Sequence, residues 1–564
     1  MPNEVVQIDW SADWDETVGL WRSTSGGHTA PVAELSCVHS GPNAASRLLT
    51  AAQIGALAQV PALAILSALR RMQVEEAGDR QGCFTWYWEE SAPVDTNAAF
   101  FTGQSLIVLH RCYTEQLDAP CRVLLEEMLA GLRRWFRKCL DERMFYYPNK
   151  FLGDLICGWL LHEESDDATT LEAFAGVMHE AAEYWHTHGW GWGEHMSDCY
   201  AQVCLDELSL LLLLARCLPV PLREQYHGLF RELLAIEDQF NDTPRVPALR
   251  SYAFTASPTH RNYRETIAPL PATLALSELS NQPRLGPIFL ELGWERLASP
   301  RAPRQSEVTI PCFGGSVARA HCEDDISLGG ISRFPLMLSA DHPTWGLSWQ
   351  CFPVAFWRAA GDWGFLQWSV SEEGVTRCHP AEATGHAYLH NALTREMLPP
   401  VVGRTWCLQR GSELLALRIM PVIPSAWDTL TDRLRLLSPH PMSIEHAEGD
   451  GWSALSLHYP ERTMSVVCRP FTGNVMPTLV RQDDRIDWEL RYAGSSLADR
   501  RLYVTLWGIS LHGPIMHAPH LTRAIIPSVP RTPEESAWLL QWSWPSTQWE
   551  VIIDPLAATP LIEK

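Results

Sequence analysis

The periodicity of the sequence changes once, and the change divides the chain into two parts. From about Asn43 to about Leu297, apolar residues recur at spacings of three and four, the period of an amphipathic helix. The segments with this period are Ala44–Val60, Ala98–Tyr113, Cys121–Leu140, Phe151–His162, Leu171–His186, Tyr200–Leu218 and Leu222–Phe240. Pro and Gly punctuate the gaps, so the pattern predicts roughly ten helices with short connections. Antiparallel helix pairs arranged in a ring would satisfy it.

The polar, Pro-rich stretch Ser299–Glu307 is the best candidate for a linker. Beyond it lie short segments rich in β-branched and aromatic residues: Val308–Ile310, Ser316–Ala320, Trp363–Val370, Leu414–Ile419, Trp452–His458, Ser465–Arg469, Ile486–Arg491, Tyr503–Ser510, Leu539–Trp544 and Trp549–Ile553. Turn residues separate them at the spacing of an all-β sandwich. We therefore predict an α+β multidomain protein, with a helical domain over residues 1–300 and an antiparallel β-sandwich over residues 308–564.

The charge balance limits the classes of partner. A formal net charge of −22 disfavours nucleic acid and anionic membranes. A local cluster of Arg245, Arg250, Arg261 and Arg264 leaves room for an acidic small substrate. The chain also contains 25 tryptophans, which suit a protein that handles flat, partly apolar ligands.

The compartment is predicted from the N-terminus and the cysteines. The segment Met1–Trp10 has no basic start and no apolar core, so it predicts no signal peptide. The longest apolar run, around Leu208–Ala215, is too short to span a bilayer. The 15 cysteines form no Cys-x-x-Cys pair, which favours free thiols in a reducing cytoplasm. A sugar substrate would then be an imported oligosaccharide, and the oligomeric state stays open.

The segment Gly189–Tyr200 carries the strongest chemical signal. Trp190 and Trp192 alternate with three glycines, and Glu194, His195 and Tyr200 follow. Indole faces can stack on sugar rings, glycines allow close backbone approach, and His and Tyr can move protons. A helix opening near Ser197 would point its N–H groups and positive dipole end at an anion. We therefore expect a carbohydrate-processing site at this helix entrance.

Further polar residues stand at other helix openings and in one loop. Asn149 and Asn97 each lie where a helix is expected to begin, and such starts could converge at one end of a helical ring. The loop Arg245–Arg264 has no apolar periodicity and contains Arg250, His260, Arg261 and Tyr263. Arginine binds carboxylates in a bidentate manner, so an acidic sugar is the expected ligand.

No cofactor motif is present. The sequence has no Gly-rich phosphate loop, no nucleophile elbow and no Rossmann fingerprint, so we expect no cofactor. A structural divalent metal in the β-domain stays open. Its candidate ligands are His321, Glu323, Asp324, Asp341 and His342.

The layout and several residues resemble the α/α-toroid polysaccharide lyases, the chondroitin AC, heparinase II/III and alginate lyase types. The shared features are the helical-then-β order, and Asn149, His195, Tyr200 and the Arg-rich loop in that chain order. The segment Gly193–Tyr200 is similar to the family's Gly-Glu-Tyr-Asn-Ser-Pro-Thr-Tyr type, with Glu, Ser and the final Tyr matching. The resemblance implies an incomplete (α/α) toroid followed by an antiparallel β-sandwich.

The resemblance also implies β-elimination at a uronate. Asn149 and Arg261 would neutralise the carboxylate, and His195 would act as base or as a further neutraliser. Tyr200 would be the acid, and the base as well in one version. The substrate-binding residues would be Trp190, Trp192, Glu194, Asn97, Arg250, His260 and Tyr263.

Two other classes of function remain open. Helical toroids also carry glycoside hydrolases, for which Glu194 with Asp154 or Asp198 could form the required carboxylate pair. A non-catalytic carbohydrate-binding protein is the third reading, in which Tyr200 and His195 would be replaceable. The products separate these classes, because elimination yields an unsaturated uronate and hydrolysis a saturated one.

Overall fold

The computed structural model describes most of the chain. The described residues are 8–24, 27–165, 167–240, 243–258, 260–270, 274–275, 285–337, 351–372, 375–377, 403–420, 427–439, 442–471, 475–482, 484–494, 503–513, 520–523, 538–543, 548–554 and 559–563.

The chain forms two compact units. The helical unit comprises Met1–Gly191, Tyr200–Asp238 and Arg261–Ala302. The β unit comprises Trp192–Cys199, Gln239–His260 and Pro303–Lys564. The boundary after Ala302 falls inside the predicted linker. Two short segments before residue 300 nevertheless belong to the β unit, which the division at the linker did not predict.

The helical unit contains eight long helices among its described residues. They are α1 Gly41–Gln53, α2 Ala62–Met72, α3 Ala98–Tyr113, α4 Ala119–Phe136, α5 Pro148–His162, α6 Ala168–Thr187, α7 Tyr200–Leu214 and α8 Val220–Phe240. The odd-numbered helices are buried along most of their length, and α5 is buried throughout. The helices α2, α4 and α6 bury one face only. Since α1 packs on α3, α3 on α5 and α5 on α7, the odd-numbered helices form an inner layer.

The C-terminal ends of α3, α5 and α7 converge on the side chain of Arg111, which is only 2% exposed. Its guanidinium donates hydrogen bonds to the carbonyl of Leu160 in α5 and, at 2.9 Å, to that of Leu214 in α7. It also forms an ion pair with Glu163 at 2.5 Å. These carbonyls lack partners within their own helices, so the cation satisfies them. The three neighbouring helices therefore run in the same direction, and their N-termini lie together at the opposite end.

Short elements complete the helical unit. They are β1 Ile8–Asp9, β2 Trp14–Asp15, β3 Leu20–Ser23, β4 Val38–His39, β5 Leu274–Ala275, α9 Tyr263–Thr266 and α10 Gly286–Glu291. Strand β1 pairs with β5 in parallel, and β2, β3 and β4 form an antiparallel ribbon. No helix in the described part of the chain is long and apolar enough to cross a membrane.

The β unit is built from antiparallel strands. They are β6 Glu307–Pro311, β7 Val317–Cys322, β8 Ile326–Ile331, β9 Arg333–Phe334, β10 Val354–Arg358, β11 Trp363–Glu372, β12 Val375–Arg377, β13 Arg404–Arg410, β14 Glu413–Met420, β15 Trp427–Leu437, β16 Ser443–Gly449, β17 Trp452–His458, β18 Thr463–Pro470, β19 Thr478–Gln482, β20 Arg485–Ala493, β21 Tyr503–Ser510, β22 His520–Arg523, β23 Trp538–Ser543, β24 Gln548–Asp554 and β25 Thr559–Glu563. One sheet has the order β19-β20-β15-β11-β10-β8-β7-β6, with β12 beside β11. A second has the order β16-β17-β18-β21-β14-β13-β9, and β22 to β25 form a third.

The first two sheets share one hydrophobic core, which makes them a sandwich. Leu328 and Leu434 of the first sheet lie in the same buried cluster as Leu414, Leu455 and Trp507 of the second. The strands alternate inward and outward residues, so each sheet contributes one face to this core. The prediction of a C-terminal antiparallel β-sandwich is confirmed.

Buried ion pairs hold β15 in the centre of the first sheet. Arg418 of β14 binds Asp432 of β15 at 2.7 Å, and Arg435 of β15 binds Asp487 of β20 at 2.8 Å. Trp507 donates its indole N–H to Asp432 at 3.0 Å. Because charges inside a fold cost free energy unless they are paired and hydrogen-bonded, these contacts explain how a charge-rich strand can lie in a core.

Candidate active site

The candidate active site lies at the N-terminal end of the inner helices of the helical unit. Asn97 precedes α3, Tyr147 precedes α5, and Tyr200 is the first residue of α7. Pro148 occupies the first position of α5, where its missing N–H costs nothing. Each N-terminus exposes backbone N–H groups and the positive end of a helix dipole, so this end of the layer favours a negatively charged ligand.

Asn97 and Tyr147 are joined by a hydrogen bond. The Asn97 side-chain amide Nδ2 donates to the Tyr147 phenolic oxygen at 3.1 Å. Asn97 occupies the N-cap position of α3 without making a side-chain capping bond, although capping is the usual role of Asn there. An N–H donor aimed at a phenolic oxygen stabilises negative charge on that oxygen. The partly exposed Tyr147 is therefore a candidate proton carrier that the sequence analysis did not select.

Asn97 is held by a chain of hydrogen bonds through Asp95 and His28 to Tyr87. His28 places Nε2 at 3.2 Å from the Asp95 carboxylate and Nδ1 at 2.9 Å from the Tyr87 hydroxyl. Because a carboxylate only accepts, Nε2 carries the proton and Nδ1 accepts from Tyr87. Burial raises the pKa of Tyr87, so its phenol stays a donor. The Asn97 backbone N–H donates to Asp95 at 2.9 Å, and the chain therefore runs from Tyr87 to Tyr147.

Lys150 is a buried cation in the first turn of α5. It is 4% exposed, forms an ion pair with Asp154 one turn later, and lies 5.9 Å from the ring centres of Phe100 and Trp135. Burial lowers the pKa of Lys150, but the Asp154 carboxylate outweighs this and the pKa is raised. The ammonium therefore stays charged, and the Asp154 carboxylate balances its charge.

Three of the four predicted catalytic residues belong to this end of the helical unit. Asn149 is fully buried in the first turn of α5, and Tyr200 is 7% exposed at the start of α7. Arg261 lies in a loop. Its backbone carbonyl accepts a hydrogen bond at 2.6 Å from the side chain of Gln202, in the first turn of α7. The guanidinium itself is exposed, with Glu265 at 3.8 Å. Arg261 therefore stands beside the N-terminus of α7.

Trp190 differs from the prediction of a sugar-stacking residue. Its side chain is fully buried, its ring stacks on Trp185 at 5.8 Å, and its Nε1 donates to Glu232 at 3.0 Å. Gly191 explains the packing of this loop, because a Cβ there would lie 2.6 Å from the Tyr146 carbonyl oxygen. The Trp–Gly loop is thus packed against the segment that leads into α5, and the Trp190 indole is part of the buried core.

The remaining part of the motif belongs to the β unit and is also buried. Glu194 is fully buried and bonds Arg250 at 2.7 Å, while the Arg250 guanidinium lies 5.6 Å from the ring centre of Trp192. Ser197 donates to the Arg250 carbonyl at 2.8 Å, and Arg250 has a positive φ of 53°. Glu194 and Arg250 are engaged with each other, and the Trp192 ring lies beside the guanidinium, so the three side chains form one buried cluster. Their predicted roles in ligand binding stay predictions.

His195 is held as a neutral, buried side chain of the β unit. It is 1% exposed, and its Nε2 donates to the Pro311 carbonyl at 3.0 Å. Burial lowers its pKa to about 4. Burial disfavours the charged imidazole here, and a base of such low pKa is a weak one. The role of His195 as base or as a neutraliser stays a prediction.

The predicted substrate-binding residues Tyr263 and His260 of the Arg-rich loop belong to different units. Tyr263 is buried in the helical unit, where its hydroxyl donates to Asp206 at 2.9 Å and its backbone N–H to Glu237 at 2.8 Å. A contact of Tyr263 with substrate stays a prediction. His260 belongs to the β unit and is partly exposed. Arg264 is paired with Asp238 at 2.9 Å.

The metal proposed for the β-domain finds no assembled site in the described part of the chain, where no three potential ligands converge. His321 faces Glu307 at 2.5 Å and Glu323 at 3.2 Å, so both ring nitrogens lie against carboxylates. Asp341 and His342 lie outside the described residues. A structural metal there stays a prediction.

The helical unit thus presents two phenols, two amides and one buried cation around three helix N-termini. Amides, helix ends and cations neutralise a carboxylate, and a phenol exchanges a proton. Nothing in this set is a paired carboxylate or an activated nucleophile.

Neither the known family models nor the curated proteins include a match to the chain. Among solved structures it is similar to heparinase III, at 10% identity and a TM-score of 0.40, over 82% of this chain and 76% of that chain. It is also similar to a heparan sulfate lyase from Pedobacter heparinus, at 11% identity and a TM-score of 0.36, over 91% of this chain and 82% of the other. A heparinase III with methylated lysines matches at 9% identity, a TM-score of 0.40, and coverages of 90% and 83%. The chain is thus similar to heparinase-type structures, and the assignment of roles rests on the residues.

Proposed function

We propose that the chain is a lyase that cleaves an acidic polysaccharide or oligosaccharide next to a uronate by β-elimination, on an incomplete helical toroid. One observation carries the proposal: Asn149, Tyr147 and Tyr200 stand at the N-termini of parallel inner helices, the end of the layer that attracts an anion. The Arg111 cluster at the opposite end fixes that parallel arrangement.

The reaction requires two proton transfers and one charge to be neutralised. A base removes the proton from the carbon that bears the uronate carboxylate. The electron pair forms a carbon–carbon double bond, and the glycosidic carbon–oxygen bond breaks on the neighbouring carbon. An acid protonates the departing oxygen. Because the proton is weakly acidic, the carboxylate must be held by donors that lower the energy of the negative intermediate.

The residues of the helical unit divide these tasks. The amide of Asn149 and the guanidinium of Arg261 bind the uronate carboxylate. Tyr200 reacts as its tyrosinate, which the N-terminus of α7 favours. It takes the proton from the carbon, and the phenol so formed gives that proton to the leaving oxygen. Tyr147, with its oxygen held by Asn97, positions the sugar and lends charge stabilisation. His195 has no part in this scheme, because its imidazole is buried and burial lowers its pKa.

The hydrolase alternative has less support because its carboxylates are engaged. Glu194 forms a fully buried ion pair with Arg250. Asp154 is paired with Lys150, and Asp198 accepts a hydrogen bond from Ser251 at 2.8 Å. A hydrolase of this kind needs one protonated carboxyl group and one free carboxylate flanking the bond.

The test measures the ultraviolet absorbance of the new double bond during incubation with uronate-containing oligosaccharides. Tyr200→Phe is expected to lower turnover by about 100-fold to 10,000-fold, the range for loss of a general acid–base group. Tyr113→Phe is the matched control, since this phenol lies at the C-terminal end of α3 and bonds Glu291 at 2.8 Å. Wild-type rates in Tyr200→Phe, or new reducing ends without absorbance, would overturn the proposal.

A further inference from the structure

The β unit contains a cavity of about 400 Å³ that no role discussed so far uses. It lies among the turn Phe313–Gly315, strand β7, strand β9 and strand β13. The lining residues that matter are Gly315, Arg319, Arg333, Trp406 and Arg410. Three guanidinium groups around one cavity stand out in a chain whose net charge is −22.

Two of these guanidinium groups, those of Arg319 and Arg333, form no ion pair within the described residues. Arg319 is exposed in the middle of β7, opposite Thr309 and Gly330 in the sheet register. Arg333 donates one hydrogen bond to the Gly314 carbonyl at 2.5 Å. Within the described ranges, neither Arg319 nor Arg333 forms an ion pair, so their charge is available to a ligand. Arg410 faces Glu413 across the β13–β14 turn.

The backbone of the turn keeps Arg333 in place and the cavity open. Gly314 has a positive φ of 66°, and a Cβ there would lie 2.8 Å from the Arg333 Nη2 atom. Gly315 has a positive φ of 76°, and a Cβ there would meet no atom within 4 Å. A side chain at Gly314 would therefore displace the guanidinium, while the turn at Gly315 borders open space.

An aromatic residue stands beside the cations. Trp406 of β13 and Arg333 of β9 are direct partners in the antiparallel register, so their side chains are cross-strand neighbours. Trp406 is 4% exposed and packs in a hydrophobic cluster, and it is also one of the residues that line the cavity. An indole beside guanidinium groups suits a ligand with an apolar ring face and an anionic substituent.

We propose that this cavity is a non-catalytic binding site for an acidic sugar unit, whose carboxylate or sulfate group is held by Arg319 and Arg333 and whose ring contacts Trp406. The choice of a sugar rests on the proposed function, whereas the choice of an anion rests on the arginines alone. No bond is made or broken at this site. It retains an acidic saccharide independently of turnover.

The test is calorimetric titration of the full-length protein with a glucuronate disaccharide, its methyl ester and inorganic sulfate. The protein carries Asn149→Ala throughout, so that carboxylate binding proposed for the helical unit does not contribute. Arg319→Gln and Arg333→Gln are each expected to weaken disaccharide or sulfate binding about tenfold, as for loss of a charged hydrogen bond. Arg481→Gln, an exposed arginine of β19, is the control and leaves affinity unchanged.

Each outcome decides a separate point. If Arg319→Gln and Arg333→Gln weaken binding of the glucuronate disaccharide and leave binding of its methyl ester unchanged, the site binds carboxylates. If they weaken binding of sulfate, the site binds sulfated sugars. Affinities of Arg319→Gln and Arg333→Gln within twofold of the parent, with unchanged thermal unfolding, overturn the proposal, as does the absence of binding by any of the three probes. If no oligosaccharide is cleaved by wild-type protein while these titrations succeed, only the lyase assignment fails.

Discussion

Asn97 donates its side-chain amide to the phenolic oxygen of Tyr147 at 3.1 Å and so joins the start of α3 to the start of α5. The bond has a cost, because Asn97 forgoes capping its own helix. A capping bond contributes typically about 1 kcal/mol, so the Tyr147 contact takes the place of a stabilising interaction. Asn97 is thus a positioning residue for the phenol.

Replacing Asn97 by Ala is expected to lower kcat about tenfold on a cleavable uronate oligosaccharide, because one donor to the phenolic oxygen is lost. KM should change less than kcat. Steady-state kinetics of the variant checks this. Asn97→Asp is the informative companion, since a carboxylate beside the phenol repels negative charge and should reduce kcat further. Equal kcat in all three proteins would contradict the role.

Removing the cation at the other end of the helices should destabilise the helical unit. Arg111→Met leaves the Glu163 carboxylate and the helix carbonyls buried without their donor. Breaking a buried pair costs about 3–5 kcal/mol. Thermal unfolding should show a clearly lowered midpoint.

The control for that measurement is Arg143→Met, which removes an ion pair with Glu180 between side chains that are 45% and 47% exposed. A surface pair contributes about 0–1 kcal/mol, so the midpoint should hardly move. Similar shifts for Arg111→Met and Arg143→Met would show that the cluster at the C-terminal ends is not a stabilising centre.

His195 predicts a pH dependence of stability with a definite sign. Its pKa is lowered from 6.5 to about 4 in the folded protein, so the unfolded chain binds the proton more tightly. Stability therefore rises with pH through this window and is lost as pH falls from 6.5 towards 4. Linkage gives a loss of about 2 kcal/mol from this group between about pH 7 and about pH 5.

The check compares wild-type protein with His195→Gln, whose amide can still donate to the Pro311 carbonyl. The difference in unfolding free energy between the two proteins should shrink as the pH falls, because the glutamine takes up no proton. Other titrating groups cancel in this comparison. A difference that is constant from about pH 7 to about pH 5 would show that His195 does not resist protonation in the fold.

The buried pair Arg418–Asp432 gives a test of the sandwich core. Asp432→Ala leaves a fully buried guanidinium without its carboxylate, which costs about 3–5 kcal/mol. Replacing both partners by apolar residues, Arg418→Met with Asp432→Leu, should recover most of that loss. Denaturant unfolding of the three proteins checks this. If the double variant is as unstable as Asp432→Ala, the loss arises from packing and not from an unpaired charge.

Much of the fold could be predicted from apolar spacing. The helix predicted over Ala98–Tyr113 has those bounds in the structure, and the strand predicted over Tyr503–Ser510 does as well. Strand β15 was not predicted, and its arginines and Asp432 lie buried where charged side chains normally face solvent. Only the folded pairing with Arg418 and Asp487 explains their burial, and sequence spacing does not reveal it.

Only part of the position of the candidate site could be predicted, for a similar reason. The placement of Asn149 and Tyr200 at helix starts follows from local signals in the sequence. The burial of Trp190 and Glu194 does not, because a Gly-rich loop with aromatic and charged residues has the same sequence pattern whether those residues face a ligand or one another. The Tyr-Pro pair at the start of α5 was an available signal for Tyr147, since Pro at the first helical position places the preceding residue at the cap.

The Arg111 cluster distinguishes positions whose substitution would disturb the inner helices from positions whose substitution would not. From Pro148 to Leu160, α5 spans roughly 18 Å at 1.5 Å per residue. It therefore fixes the distance between the Arg111 cluster and the candidate active site. Substitutions in the loops before α3, α5 and α7 would retune specificity without touching the anchor. A single inserted residue within α5 would instead turn Asn149 by roughly 100° relative to Leu160. Divergence in such a scaffold is therefore expected to proceed by exchange of loops and to avoid insertions in the inner helices.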